Sequence, residues 1–375
     1  MHRFISLLGI IITFTSFLSC NNNKKENCIN TPTTVDSTHA PQYLTMLFVG
    51  DIMQHDLQIS TAKCDSGYNY DSYWKYIGKQ IAEADLAIGN FETTLGEEPY
   101  KGFPLFSAPD DFAQSLHQAG FDILLTCNNH SMDRGTKGVK RTIKRIQEMG
   151  MTPVGTYLNN EDRDKRYPLI VERNGIKVAL LNYTYGINGF TAIPPQIVNL
   201  IDTTLIKQDI LKARQASPDV IIACMHWGAE YIHQPGDETR QLADWLIDNG
   251  VDHIIGNHPH VVQPLEIRQD TILNKKNLVV YSLGNFTSNF TRRATDGGMI
   301  VKLTLVKDST TRIDNCGYSL VYNVRPIQSG KDNYEIISAT NPPEDYPYAL
   351  RQAIQTFVND AHNILRETNV TEYSF

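Results

Sequence analysis

The sequence predicts an α/β protein with buried parallel or mixed strands. From Tyr43 onward, short apolar runs alternate with amphipathic stretches, the pattern of strands separated by helices. The 375 residues are 41% apolar and 20% charged, which supports a large core and excludes a disordered chain. No internal repeat or linker interrupts residues 43–340, so one large domain is expected there. Lys plus Arg is 34 against 41 Asp plus Glu, a net charge of −7. This acidic balance argues against a nucleic-acid partner.

The elements follow in order. Residues 44–49 read as a strand, and 73–84 as a helix with Trp74, Ile77 and Ile81 on one face. Residues 86–88 form a strand. Residues 110–118 form a helix closed by Gly120, a left-handed stop signal. A strand at 122–126 precedes a basic-faced helix at 136–149 ending in Gly150. Strands at 177–182 and 220–224 flank a helix at 204–215, and a helix at 238–248 is capped by Asp237 and Gly250. Residues 251–255 and 278–282 are strands; strands dominate 299–338, and 348–365 is a final helix.

The first 42 residues read as an address. A basic start and a 15-residue apolar run at 4–18 suit a secretory signal and are short for a membrane span. The run ends Ser19-Cys20, resembling a bacterial lipoprotein cleavage box, with Phe17 in place of the usual aliphatic residue. This predicts a signal peptide over 1–19, lipidation of Cys20 and a flexible tether over 20–42. The folded body is then 43–340, with a C-terminal helical extension over 341–375. Cys127 and Cys224 end apolar runs and read as small buried thiols; no disulfide is expected.

Five apolar runs end in polar residues able to hold a metal. They lead into Asp51; Asn90 and Glu92; Asn129, His130 and Asp133; His226; and His258 with His260. In α/β sheets the ligand crevice lies beyond the carboxyl ends of the strands. Taken singly, each residue has a plainer reading, such as a turn aspartate or a packed histidine. Those readings give no reason for all five groups to follow apolar runs. Carboxylate, imidazole and amide oxygen together suit Mn, Zn or Fe as a divalent ion. In an extended segment His258 and His260 face the same way. A strand-end carboxylate can bridge two ions about 3.5–4 Å apart, so one or two ions are expected. His253 is read as structural; His39, His117 and His362 as surface or packing residues; His55 and His233 stay open.

Gly50-Asp51, Gly89-Asn90-Phe91-Glu92, the run from Cys127 to Gly135, His226-Trp227-Gly228-Ala229-Glu230-Tyr231, the run from Gly256 to Gln263 and the run from Tyr281 to Phe286 together resemble the CapA-type capsule-synthesis family. That family is linked with poly-γ-glutamate biosynthesis and related to the calcineurin-like metallophosphoesterases. The resemblance implies a four-layer α/β-β/α sandwich of the metallophosphoesterase type. It implies metal ligands at Asp51, Glu92 (or Asn90), Asn129, His226, His258 and His260. It implies His130 as general acid oriented by Asp133, and Asn90, Glu230, Tyr231 and Asn285 as substrate-binding residues. Two positions depart from the phosphoesterase pattern: Met53 replaces a histidine two residues after the first Asp, and Asn90 replaces an Asp after Gly89. These weaken or empty one metal position unless His55 substitutes.

The expected function is that of a surface lipoprotein of capsule or exopolymer biosynthesis with a metal-dependent hydrolase-like site. The alternatives are a non-catalytic polymer-binding or assembly factor, and a metallophosphoesterase acting on a phosphate ester unrelated to capsule. Expected partners are an anionic polymer or phosphate-ester substrate, the membrane through the lipid anchor, and a capsule-synthesis membrane complex. The expected place is the bacterial cell envelope, lipid-anchored and extracytoplasmic. Lys137, Lys140, Arg141, Lys144 and Arg145 form a basic cluster read first as a solvated helix face, and second as a local patch for an anionic polymer.

Overall fold

A computed structural model describes residues 40–192, 194–271 and 275–374. The signal segment, Cys20 and His39 lie outside the described residues. The strands that build the two main sheets are β1 (Gln42–Ile52), β2 (Leu86–Phe91), β3 (Ile123–Leu125), β4 (Thr152–Val154), β5 (Leu169–Arg173), β6 (Ile176–Thr184), β7 (Val220–His226), β8 (His253–Asn257), β9 (Leu265–Asp270), β10 (Lys275–Val280), β11 (Asn285–Thr287), β12 (Gly297–Lys307), β13 (Thr311–Val324) and β14 (Glu335–Ser338). The longer helices are α1 (Asp110–Ala119), α2 (Gly135–Glu148), α3 (Thr203–Gln215), α4 (Asp237–Asp248) and α5 (Tyr348–Leu365).

One sheet runs β14-β13-β12-β1-β2-β3-β4, with β11 added against β1 and Thr371–Glu372 against β13. The other runs β9-β10-β8-β7-β6-β5. In the large sheet β1 to β4 are parallel out to one edge and β12 to β14 are antiparallel on the other side; in the second sheet a parallel centre is flanked by antiparallel β5 and β9. Alternation along β1 sends Leu44, Met46 and Phe48 into a core shared with Val178, Leu180, Ile222 and Ile254 of the second sheet. Leu47 and Val49 face the opposite way, onto Ile81, Phe112 and Leu116. Ile206, Ile210, Ala243 and Leu246 of α3 and α4 pack against the second sheet. The order is helix, sheet, sheet, helix: the expected four layers. The final helix sets Leu350, Ile354, Phe357 and Val358 into the same core.

Some elements differ from expectation. The helix expected over 73–84 is two short pieces, Asp71–Trp74 and Gly78–Ala82. Gly78 has poor helix propensity, and packing of the fully buried Tyr73, Ile77 and Ile81 overrides continuity. Asp237 does not cap α4; it is the first helical residue, and Gly236 holds the cap position without a side-chain bond. Gln42 belongs to β1 although the expected tether runs to residue 42. The polar surface helix Asn160–Arg166, which buries nothing, and the flanking strands β5 and β9 carry too little apolar periodicity to be read from sequence. Among the described residues, no helix is long and apolar enough to cross a membrane.

Candidate metal centre

The parallel strands of both sheets end at one edge, and the site is assembled there. Asp51 lies near the end of β1, in register with Asn90 of β2 on one side and Asn285 of β11 on the other. Gly50 permits this register. A Cβ there would stand 1.9 Å from the Gly284 carbonyl oxygen, so only glycine lets the β11 loop close on β1. His226 ends β7 opposite Asn257, the last residue of β8. His258 and His260 follow at once.

The expected alternation of His258 and His260 is corrected by the backbone. Their φ values are 101° and 59°, so the segment is a left-handed turn and not an extended strand. Such conformations cost about 1–3 kcal/mol each and persist where surrounding structure enforces them. The turn still brings the rings within 5.9 Å, and His258 lies 4.7 Å from the His226 ring.

Hydrogen bonds fix the remaining orientation. Asn90 Nδ2 donates to Asp51 Oδ1 at 2.7 Å and lies 3.3 Å from His226 Nδ1. Asn129 Oδ1 is 2.9 Å from His226 Nε2. His260 Nδ1 donates to Asp51 Oδ2 at 3.0 Å and to Asn285 Oδ1 at 3.1 Å. Both partners are acceptors, so the Nδ1 proton is held and Nε2 keeps its lone pair. That Nε2 is 3.9 Å from Glu92 Oε1, and His226 Nε2 is 3.6 Å from it. His130 Nδ1 donates to Asp133 Oδ2 at 2.7 Å, and that oxygen also accepts the Phe106 amide at 2.8 Å.

Both oxygens of Glu92, Nδ1 of His258 and Oδ1 of Asn257 are buried without hydrogen-bond partners. Burial, followed by the Asp51 charge, pushes the Glu92 carboxyl well above its usual range. Burial pushes His226 well below its ordinary value and His258 down to about 3, with neighbouring imidazoles adding to it. Buried carboxylates beside neutral imidazoles fit a cation. Three sets of ligand atoms lie within 4.8 Å of one another: Glu92, His226 and His258; Glu230, His258 and His260; and Asp51, Glu92 and His260. Adding Asn129, the expected ligands Asp51, Glu92, His226, His258 and His260 thus converge.

The other expected residues are placed as follows. Asn285 is fully buried and bonds His260. Glu230 is exposed at the mouth. Tyr231, with φ 65°, sets its ring 6.0 Å from His260 and carries the Arg292 guanidinium 4.3 Å above it. Met53 is buried, its backbone pinned to Thr287. His55 caps a short helix. Its Nδ1 lies 3.1 Å from Gln58 Oε1 and accepts the Asn289 amide at 3.2 Å, and burial lowers it to about 4. It belongs to none of the three ligand sets. His253 accepts the Leu278 amide inside the second sheet, as a structural residue would.

The loop after β6 also reaches the site. Asn188 accepts from Asn129 Nδ2 at 3.2 Å, and the Tyr185 ring lies 4.5 Å from His258. An Asn-Gly pair favours a turn, but nothing in the local sequence says that this one reaches the site. Asn182 also went unread. Its Oδ1 accepts the Cys127 amide and its Nδ2 donates to the Cys224 carbonyl.

Two facing sheets between helices, with carboxylates from one and imidazoles from the other at a shared edge, define the metallophosphoesterase class of architecture. Within it, the chain belongs to the bacterial capsule synthesis protein family, PGA_cap, whose pattern it matches over residues 45–290. It is 30% identical over 285 residues to the capsule biosynthesis protein CapA of Bacillus anthracis, covering 72% of this chain and 66% of that protein, just under two thirds of its length. It is 29% identical over 337 residues to the PGA biosynthesis protein CapA of Bacillus subtilis (strain 168), covering 88% and 86%. Among solved structures it is similar to the calcineurin-like phosphoesterase YfkN of Bacillus subtilis, with 15% identity, 88% and 100% coverage and a TM-score of 0.47. It is also similar to the NAD nucleotidase of Haemophilus influenzae, with 9% identity, 87% and 61% coverage and a TM-score of 0.45.

Proposed function

We propose that this protein is an envelope lipoprotein of capsule or exopolymer biosynthesis whose site is a metal-dependent hydrolase centre. The supporting observation is Glu92: a buried carboxyl with both oxygens unpartnered, among His226, His258, His260 and Asp51. Asp51, Glu92, Asn129, His226, His258 and His260 would hold one or two divalent ions. When bound, the ion supplies Lewis-acid polarisation and neutralises developing negative charge. The protein's own residues do the rest. Asp133 accepts from His130 Nδ1–H and so favours the doubly protonated ring, which would pass its Nε2 proton to the leaving group and return to the neutral Nδ1–H form. Burial of the carboxylates and imidazoles keeps water from screening them. Glu230, Tyr231 and Asn285 border or support the place where substrate would sit. The substrate would be a phosphate ester or an amide of an anionic polymer. Export through residues 1–19 and lipidation at Cys20 would put the site outside the cytoplasm.

The test is purified protein loaded with Mn²⁺ or Zn²⁺, its metal content verified, assayed on p-nitrophenyl phosphate and on γ-linked polyglutamate. Turnover by wild type and its loss in His130→Asn are expected. No turnover of either substrate with metal bound overturns the catalytic reading. Met53 and Asn90, where phosphoesterases carry ligands, favour the second reading, a non-catalytic polymer-handling factor, and the same assay decides between them.

A further inference from the structure

The basic cluster on α2 is not a uniformly solvated face. Arg141 grips Asp110 of α1 through both guanidinium nitrogens at 2.6 and 2.9 Å, and Arg145 reaches the same carboxylate at 2.9 Å. These two arginines are thereby fixed as a wall. Lys137, Lys140 and Lys144 are exposed, and none forms an ion pair with any carboxylate among the described residues. With Arg134 they border a cavity of about 620 Å³, whose remaining lining includes Gly96, Gly138, Glu97 and Glu148. A Cβ at Gly138 would stand 2.4 Å from Arg134 Cβ, so glycine lets the Arg134 stem lie across the helix. Arg134 Nε is buried without a partner, while Nη2 donates to the Pro99 carbonyl at 3.3 Å. Six cations thus face three carboxylates, a local surplus on a chain whose net charge is −7.

We propose that this groove is a binding track for a linear polycarboxylate, separate from the metal centre. The lysines stand three and four residues apart, so their charges repeat about every 5–6 Å along one line. From Arg134 to Arg145 the track is about 16 Å long at a 1.5 Å rise per residue. That length matches about five residues of an extended chain at ~3.3 Å each. The lining holds no aromatic side chain, so it offers no stacking platform for nucleic-acid bases. It is concave and carries no exposed apolar residue, which suits a threaded chain better than a flat anionic membrane. The track starts at Arg134, the residue after Asp133, and so runs from the rim of the site outward along α2.

The experiment is fluorescence anisotropy with labelled glutamate oligomers of three to ten residues and full-length protein in detergent, without added metal. Wild type should bind, with affinity rising until the oligomer reaches about five residues and levelling off beyond. Raising salt should weaken binding, because exposed charges are screened within about 8 Å at physiological ionic strength. The triple variant Lys137→Gln/Lys140→Gln/Lys144→Gln should lose at least about fivefold in affinity, since exposed pairs each contribute modestly. Lys63→Gln/Lys207→Gln/Lys302→Gln removes the same charge elsewhere and should bind as wild type does. Equal losses in both variants would reduce the effect to net charge and overturn the track. Tighter binding of an oligonucleotide or of anionic vesicles than of the glutamate oligomer would also overturn it. Oligomer binding without uptake of Mn²⁺ or Zn²⁺ would sink the metal centre alone, and metal uptake without oligomer binding would sink the track alone, so the two failures are separable.

Discussion

Replacing Glu92 by Gln should reverse the usual link between a site mutation and lost stability. Both Glu92 oxygens are buried and unpartnered, and Asp51 stands beside them. Without a cation, burial and then the Asp51 charge disfavour the ionised form of this carboxyl in the folded protein, which costs stability at neutral pH. Gln has the shape of the protonated acid and needs no proton. A buried polar group lacking its partner costs about 1–3 kcal/mol, and part of that remains for the amide. Metal-free Glu92→Gln should therefore be more stable than wild type by about 1–2 kcal/mol, at the lower part of that range. A divalent cation should invert the order. Ligand at a hundredfold excess over its Kd stabilises the folded state by about 2.7 kcal/mol, and wild type should gain most of this while the variant gains little. The assay is urea unfolding followed by circular dichroism, in EDTA and in Mn²⁺ or Zn²⁺. Exposed Glu230→Gln serves as a control and should be neutral in EDTA. A variant less stable than wild type in EDTA, with an undiminished metal response, would refute the assignment of Glu92 as a cation ligand.

Other consequences are as direct. His253 is buried, and burial lowers it from 6.5 to about 4. Because the folded value is the lower one, the stability it contributes is present above pH 6.5 and is lost as pH falls towards 4, by roughly 3 kcal/mol. His253→Gln should lack this loss, and parallel stability–pH curves for the two proteins would refute it. Asn182→Ala removes two buried bonds, one to the Cys127 amide just past β3 and one to the Cys224 carbonyl of neighbouring β7, and should cost about 2–4 kcal/mol in urea unfolding. Hydrogen exchange with and without chelator should change at 90–92, 128–130 and 257–262, and stay constant in α5; a uniform change would contradict a local cation site.

The residues gathered at the site were legible because each follows an apolar run, and a strand end is where a sheet can place a side chain in a crevice. The choice between Asn90 and Glu92 was not legible, since it depends on which side chain keeps unpaired oxygens. Asn90 spends its amide on Asp51 and His226, whereas Glu92 retains both oxygens. The left-handed turn at His258 and His260 was also hidden, because the local sequence reads as extended. The roles of Asn188, Tyr185 and Asn182 depend on contacts across the two sheets, about which local sequence pattern carries no information. The loss of the continuous 73–84 helix has the same origin: aromatic packing around Tyr73 outweighed helical periodicity.

The distribution of site residues between the sheets has a further implication. The carboxylates Asp51 and Glu92 and the amide Asn129 come from the large sheet, and the imidazoles His226, His258 and His260 from the small one. The sheets are already joined by an apolar core running from Leu44 to Leu365, so the fold does not require the site. At the open edge their junction is polar: Asp51 to His260, Asn129 to His226, and the unpartnered Glu92 between them. A cation there would bridge the two halves where apolar contact ends. Left-handed histidines and unpartnered buried oxygens thus cost stability at this edge, and a cation bound there would restore it.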